Sequence, residues 1–595
     1  MDKYGVNQNS IGTILHWSET NEIAIPEIQR PFVWKSTKVR DLMDSLYKGY
    51  PIGYIITWKN PDVRTKDGTI SAGRKVLIDG QQRITALRAA VLGKKIINKE
   101  YKEVRIVIAF NPITEEFATL TPAIEKNVVW IPDISEVMSK EAGLLKTVRE
   151  YLAKNPDIDA DQVESAITKL LEIKTKPVGY IELDASLDID TVTEIFIRIN
   201  SEGVPLNQSD FAMSKIAAYG EFGVNLRKLI DYFCHLAQEP QFYKHISEND
   251  TEFASSDYLH RISWLKDESD DLYDPIYSDV IRVAFMKEFR RAKLTDLVSL
   301  LSGRNFELRS FEQQIADESF EKLEKGLLSF VNEYDFKQFV MLIKATGFIV
   351  PGLITSKGAL NFAYTLYLIL RDQKFDSTKL GKMVQKWFVM SMLTNRYTSS
   401  SETKMDEDLR NIERLGVEQV LADIEASELS EVFWRTALPQ SMVKSGTSNP
   451  LINIFFAAQI KARDHGFLSS DILVDHMVQH RGDIHHIFPY DYLKKEGLAR
   501  SETNQIANFV YAETGINIRI GKKVPRDYFA EILAQVEGGK GKYGSIADKQ
   551  ELLENLEENC IPEIIFDLDV NGYEQFLHER RSLMANKIEH YYANF

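Results

Sequence analysis

From about residue 225 to 425, apolar residues recur three and four positions apart, in VNLRKLIDYFCHLAQ, LEKGLLSFVNEY, FVMLIKA, LNFAYTLYLILRD and MVQKWFVMSML. That spacing puts them on one face of an α-helix, so the middle of the chain is predicted to be all helical. No fixed repeat length emerges, which argues against a solenoid. The first part of the chain reads instead as α/β. IAIPEIQRPFVW (23–34) is extended, because Pro26 and Pro31 block helix. TKVRDLMDSLYKG (37–49) places Val39, Leu42, Met43, Leu46 and Tyr47 on one helical face, and Gly49 stops it. PIGYIITWK (51–59) and RKVLI (74–78) are predicted strands around a polar turn at 64–73. DGQQRITALRAAVLG (79–93) turns from strand into helix, with Ile84, Leu87 and Val91 facing the core. Toward the end, NPLINIFFAAQIKAR, KKVPRDYFAEILAQV (522–536) and the stretches 549–559 and 573–592 are helical, and EGGKGKYG (537–544) is a flexible loop. The expectation is a multidomain chain: an α/β domain over 1–225, a helical middle domain over 226–429, and a mostly helical domain over 430–595.

Composition changes this picture little. The chain has 595 residues, 44% apolar and 27% charged, ordinary values for a soluble protein and too long for one core. Cys234 and Cys560 make no disulfide framework, and the start of the chain lacks a basic-then-apolar leader pattern. A cytoplasmic location follows as an expectation. The longest apolar stretch, FVMLIKATGFIVPGLI (339–354), is interrupted by Lys344 and Pro351 and reads as a buried helix pair, not a membrane span. Charge adds more. The net charge is −15, yet residues 1–110 carry +7 and the remainder −22. The overall sign argues against a protein that coats nucleic acid non-specifically, while the basic first domain suits phosphate. Ordinary surface variation explains the charge equally well. Residues 398–408, rich in Ser, Thr and charge, read as a loop able to reach DNA, and DESDDLYD (267–274) as a solvated acidic loop.

The densest chemistry lies in GDIHHIFPYDYLKKEG (482–497), followed by Asn508 in IANFVYAE and Asn517 in TGINIRI. Phosphodiester hydrolysis around one metal needs a neutral imidazole to take a proton from water, and N/O ligands for a hard ion beside the phosphate. Neighbouring residues on a strand point to opposite faces, so His485 and His486 cannot share one task unless the strand twists or ends there. A ββα hairpin with a central metal separates the roles. A structural His pair or a zinc site is the alternative, and no Cys lies nearby for a Cys/His zinc site. The run His-His-Ile-Phe-Pro with Asn508 and Asn517 resembles the HNH (ββα-metal) nucleases. The resemblance implies His486 as general base, His485 and Asn517 as ligands of Mg²⁺ or Mn²⁺, and Asn508 as the residue that orients the base and holds the hairpin. Asp483 is a rival metal ligand. Lys522, Lys523 and Arg526 are placed for phosphate contact with DNA.

The strand–Asp79-Gly80-Gln81-Gln82-Arg83–helix junction is the second chemical stretch. A helix N-terminus presents unpaired N–H groups to an anion, and Gly80 lets the backbone approach it. Arg83 can add a charge-assisted fork; Gln81 or Gln82 can hold a water, and Asp79 a metal or that water. There is no GxxxxGK[ST]. The plain alternative is that Asp79 caps the helix. IDGQQR, with PEIQRPFVW and PIGYIITW upstream, resembles the ParB/sulfiredoxin-like NTPase domain of the GmrSD family of modification-dependent (type IV) restriction enzymes, which carries an HNH domain in the same chain. EIFIRINSEGVPLNQSD (194–210), through Phe196, Arg198, Asn200, Gly203 and Leu206, and NRYTSSSETKMDEDL (395–409) are similar to segments of these proteins. The resemblance implies hydrolysis of a nucleoside triphosphate, GTP foremost, at Asp79, Gly80, Gln81, Gln82 and Arg83. It gives Gln29 and Arg30 a part in that pocket or in sensing modified DNA, beside a purely structural clamp. The expected partners are modified, foreign DNA and a nucleoside triphosphate, with no membrane; homo-oligomerisation stays open. A DNA-binding switch with a non-catalytic HNH part, and an HNH nickase or toxin outside defence, are the other readings.

Overall fold

The computed structural model describes residues 4–20, 22–24, 32, 34–59, 75–98, 102–138, 144–184, 187, 195, 208–217, 219–308, 310, 312–398, 401–443, 449–480 and 482–595. They divide into two compact units, residues 1–269, 274–278 and 297–321 in the first and 270–273, 279–296 and 322–595 in the second.

The first unit opens as a mixed α/β structure. β1 (Tyr4–Ser10) runs into α1 (Ile11–Glu19), whose first turn is capped by the Ser10 hydroxyl accepting from the Thr13 N–H at 3.1 Å. Then come β2 (Ile23–Ala24), α2 (Ser36–Tyr47), β3 (Tyr54–Lys59), β4 (Lys75–Asp79), α3 (Gln81–Val91) and β5 (Pro177–Leu183). The strands form one sheet in the order β1-β5-β3-β4-β2. β3 is parallel to β5 and antiparallel to β4, and β2 is parallel to β4. Tyr54 lies opposite Gly179, and a Cβ there would come within 2.5 Å of the tyrosine ring. The five apolar positions of α2 are all buried, in one core with Ile84, Leu87 and Val91 of α3. Each such burial stabilises by about 1.5–3 kcal/mol, so packing of the amphipathic face, not intrinsic propensity, fixes these helices. The turn expected at 64–73 lies outside the described residues, as do Phe196, Arg198, Asn200, Gly203 and Leu206.

Helices dominate both the rest of the first unit and the second, as the apolar spacing predicts, and among the described residues none is long and apolar enough to cross a membrane. Three local expectations change. Residues 339–354 hold the end of one helix (Glu333–Lys344), a turn and a short 3₁₀ segment (Pro351–Leu353), not a helix pair. Gly347 has φ +96°, and a Cβ on it would fall 2.1 Å from the Ala457 carbonyl oxygen, so the chain turns where only glycine passes. Ser401–Leu415 is a helix, not a DNA-reaching loop. Its Asp408 is fully buried, takes a fork of hydrogen bonds from Arg396 at 2.8 and 2.6 Å, and accepts from the Tyr397 hydroxyl at 2.7 Å. Within DESDDLYD, Leu272 and Tyr273 are buried, and the Tyr273 hydroxyl donates to Asn361 Oδ1 at 2.8 Å. Short-range charge patterns miss such buried polar partners because the partner is distant in sequence.

The elements that frame the histidine pair follow: α4 (Pro450–Ala462), α5 (Val474–His480), β6 (Asp483–His486), β7 (Phe509–Ala512), α6 (Thr514–Ile520), α7 (Pro525–Val536) and α8 (Tyr573–Ala593). α4 packs behind the β6–β7 pair as expected, with the Phe456 ring 4.5 Å from that of Tyr511.

Candidate active site

β6 and β7 pair antiparallel, with His485 opposite Val510 and His486 opposite Phe509, and α6 follows at once and packs on β6. His485 is buried, 5% exposed, while His486 is half-buried against the Phe509 ring at 4.8 Å. The strand ends at His486, and a turn carries the chain away. Asn508 closes that turn. It is fully buried; its Oδ1 accepts from the Phe488 N–H at 2.8 Å, and its Nδ2 donates to the carbonyls of Phe488 and Thr503 at 3.1 Å each. The Ile487 N–H donates to the Asn508 carbonyl at 2.9 Å. Asn508 thus ties the turn after β6, but the side chain on the His486 ring is Asn504, whose Oδ1 lies 2.9 Å from Nε2. Nothing in SETNQIANF marks Asn504 for that contact; the tight turn after Thr503 delivers it.

An amide oxygen facing Nε2 makes that nitrogen the donor, so Nδ1 keeps the lone pair. Burial pushes the His486 pKa below the ordinary imidazole value, with the Asn504 contact opposing. The ring is therefore neutral near pH 7, as a base must be. Asn517 sits half-buried on α6. Asp483 opens β6, and its side chain lies outside the described residues. Among the described residues no group of three His, Cys, Asp or Glu is placed to hold a metal.

Around the site the cations are mostly engaged. Lys522 is exposed, but Lys523 contacts Glu531 at 2.7 Å and the Tyr543 hydroxyl, and Arg526 donates to Asp569 at 2.9 Å. An open cleft of about 520 Å³ lies where β6 and α6 begin, bordered by Asp471, His476, His480, Gly482, Glu513 and Thr514.

In the first unit the Asp79–Arg83 junction is equally defined. Gly80 has φ +103°, and a Cβ on it would meet the Ile55 side chain at 2.5 Å, so both backbone and space require glycine. Asp79 does not cap α3. Gly80 is the cap residue, and the Asp79 carboxylate pairs with Arg83 at 3.2 Å. Arg83 also donates to the Tyr54 carbonyl at 2.8 Å, which aims its guanidinium along the first turn. Gln81 is 7% exposed, and its Oε1 has no hydrogen-bond partner among the described residues. A buried amide oxygen at a helix N-terminus is a group awaiting a donor. Residues 11–217 match the GmrSD restriction endonuclease N-terminal domain family. The GmrSD match spans four of the sheet's five strands (β2 to β5), the Gly80 turn and α3, and ends before the β6–β7 pair. Along its whole length the chain also resembles an uncharacterized protein of Methanocaldococcus jannaschii, 21% identical over 95% of this chain and 96% of that protein. Gln29 and Arg30 fall within the GmrSD match but outside the described residues.

Proposed function

We propose that the chain is a modification-dependent DNA endonuclease in which nucleoside triphosphate hydrolysis at the Asp79–Arg83 turn accompanies phosphodiester cleavage at the β6–β7–α6 hairpin. The observation that carries this reading is the Asn508 lock, which fixes both backbone groups of Phe488 two residues beyond a neutral His486. The ββα order, with Asn517 on the helix that packs on β6, supports it. So does the GmrSD match over residues 11–217 of the other unit. His486 Nδ1 takes a proton from the attacking water, and Asn504 holds the ring in that tautomer. His485 and Asn517 would hold Mg²⁺ or Mn²⁺, with Asp483 as a third donor. When bound, the ion supplies charge for the phosphate and the leaving oxygen. In the other unit, the first turn of α3, with Gly80, Gln81 and Gln82, receives the phosphates, and the Asp79-anchored Arg83 adds its charge. Gln29 and Arg30 belong to the same pocket or to the sensing of modified DNA.

The test is a panel of unmodified, phosphorothioate and glucosyl-hydroxymethylcytosine DNAs, with and without GTP and Mg²⁺. Cleavage of a modified DNA that needs the metal and stops with chelator is expected. Equal cutting by His486→Ala protein, or no cutting of any substrate, sinks the proposal.

A further inference from the structure

Arg580 on α8 is fully buried, and among the described residues the ionisable groups that act on it are Cys560 and Tyr528, with no carboxylate. A guanidinium stripped of water and left without a counter-ion is costly, and burial pulls its pKa down to about 10. An apolar side chain would fill the space at less expense. The charge is instead spread over main-chain oxygens. One terminal nitrogen donates to the Ala507 and Phe509 carbonyls at 2.8 and 2.9 Å, and the other to the Asn559 carbonyl at 3.0 Å. Ala507 and Phe509 flank Asn508, so the arginine straddles the residue that locks the turn. From the other side the buried Tyr528 hydroxyl on α7 donates to the Ile487 carbonyl at 2.9 Å, one residue after His486. Between them, Asn508, Arg580 and Tyr528 occupy both backbone groups of Ile487 and Phe488 and both carbonyls beside Asn508.

We propose that Arg580 and Tyr528 are positioning residues for the His486 end of the hairpin, holding the imidazole at the phosphate by fixing the peptides on which it rides. This rests on the nuclease reading above. Neither residue touches the reacting atoms; each acts through the 487–488 and 507–509 backbone. A shift of about 1 Å at such a base can lower turnover about 100-fold. Arg580→Lys replaces a planar fork that spans two carbonyls with a point donor that reaches one.

The full chain is compared with Arg580→Lys, Tyr528→Phe and a control, Val384→Ala, which removes a fully buried methyl pair in a helix remote in sequence. Two quantities are read: kcat and KM on a modified plasmid with Mg²⁺, and amide hydrogen exchange of the peptide spanning Ile487 and Phe488. Both positioning variants should lose at least tenfold in kcat with KM within twofold, and exchange in that peptide should rise at least fivefold. Val384→Ala should lower the melting temperature and leave kcat and that exchange as they were. Folded Arg580→Lys or Tyr528→Phe protein with wild-type exchange at 487–488 overturns the proposal, as does a kcat loss that merely tracks melting temperature in all three variants. If Arg580→Lys does not fold, Tyr528→Phe decides alone. The exchange readout needs no catalysis: raised exchange in a chain that cuts no DNA upholds the clamp and removes the nuclease reading.

Discussion

His486 and Asn504 make a pair whose parts can be separated. His486→Ala should abolish cleavage while leaving nucleotide hydrolysis intact, because only the base is lost. Asn504→Ala keeps the imidazole but frees its tautomer, so kcat should fall about 10–100-fold with little change in DNA affinity, measured by single-turnover cleavage and by binding in chelator. At the other turn, Gly80→Ala meets both a left-handed backbone and the Ile55 side chain. It should cost about 2–4 kcal/mol of first-unit stability by urea melting, and remove nucleotide binding with it. Arg83→Ala or Asp79→Ala should instead leave that stability near wild type and abolish hydrolysis. A chain that binds no nucleotide at millimolar concentration would leave the Asp79–Arg83 pair a purely structural contact.

Elements show which parts of the structure were readable in advance. α2, α3 and the long helices announce themselves because their buried faces repeat at the helical period, and each buried position is local in sequence. β6 and β7 were expected from the HNH pattern, yet the contacts that make them work were not. Asn504 reaches His486 across a turn, and Arg580, in a HERRS stretch that looks like a solvated charge cluster, is buried 71 residues beyond Phe509. A sequence window cannot see which surface charge a distant strand will cover. Asn508 entered as a hairpin residue only through what the resemblance to the HNH nucleases implies. Asn508→Ala should cost at least about 3 kcal/mol in second-unit stability, because three hydrogen bonds go and buried backbone groups lose partners. The loop after α7 is tied back by Glu531, which Lys523, Lys542 and Tyr543 hold down to a pKa of about 2, from 4.5. A depressed carboxylate contributes stability above pH 4.5, and that contribution fades as pH falls toward 2. Glu531→Gln should therefore lower the melting temperature near pH 7 and flatten the acid limb between pH 4.5 and 2.

For the whole molecule, the two proposed chemistries raise the question of coupling. If nucleotide state changes affinity for modified DNA, that DNA must change nucleotide affinity by the same factor. In His486→Ala protein, where DNA survives, nucleotide affinity and hydrolysis rate should both shift when modified DNA is added; identical values with and without DNA mean independent activities. The Arg580 clamp also has a bearing on timing. A ribosome delivers the histidine pair and both asparagines well before the arginine that seats them, 71 residues after Phe509. Until then the nascent hairpin has its candidate catalytic side chains but not the Arg580 contacts. On the proposed nuclease reading, a chain not yet synthesised as far as Arg580 would be a half-finished cutter, and the order of synthesis would act as a safety catch.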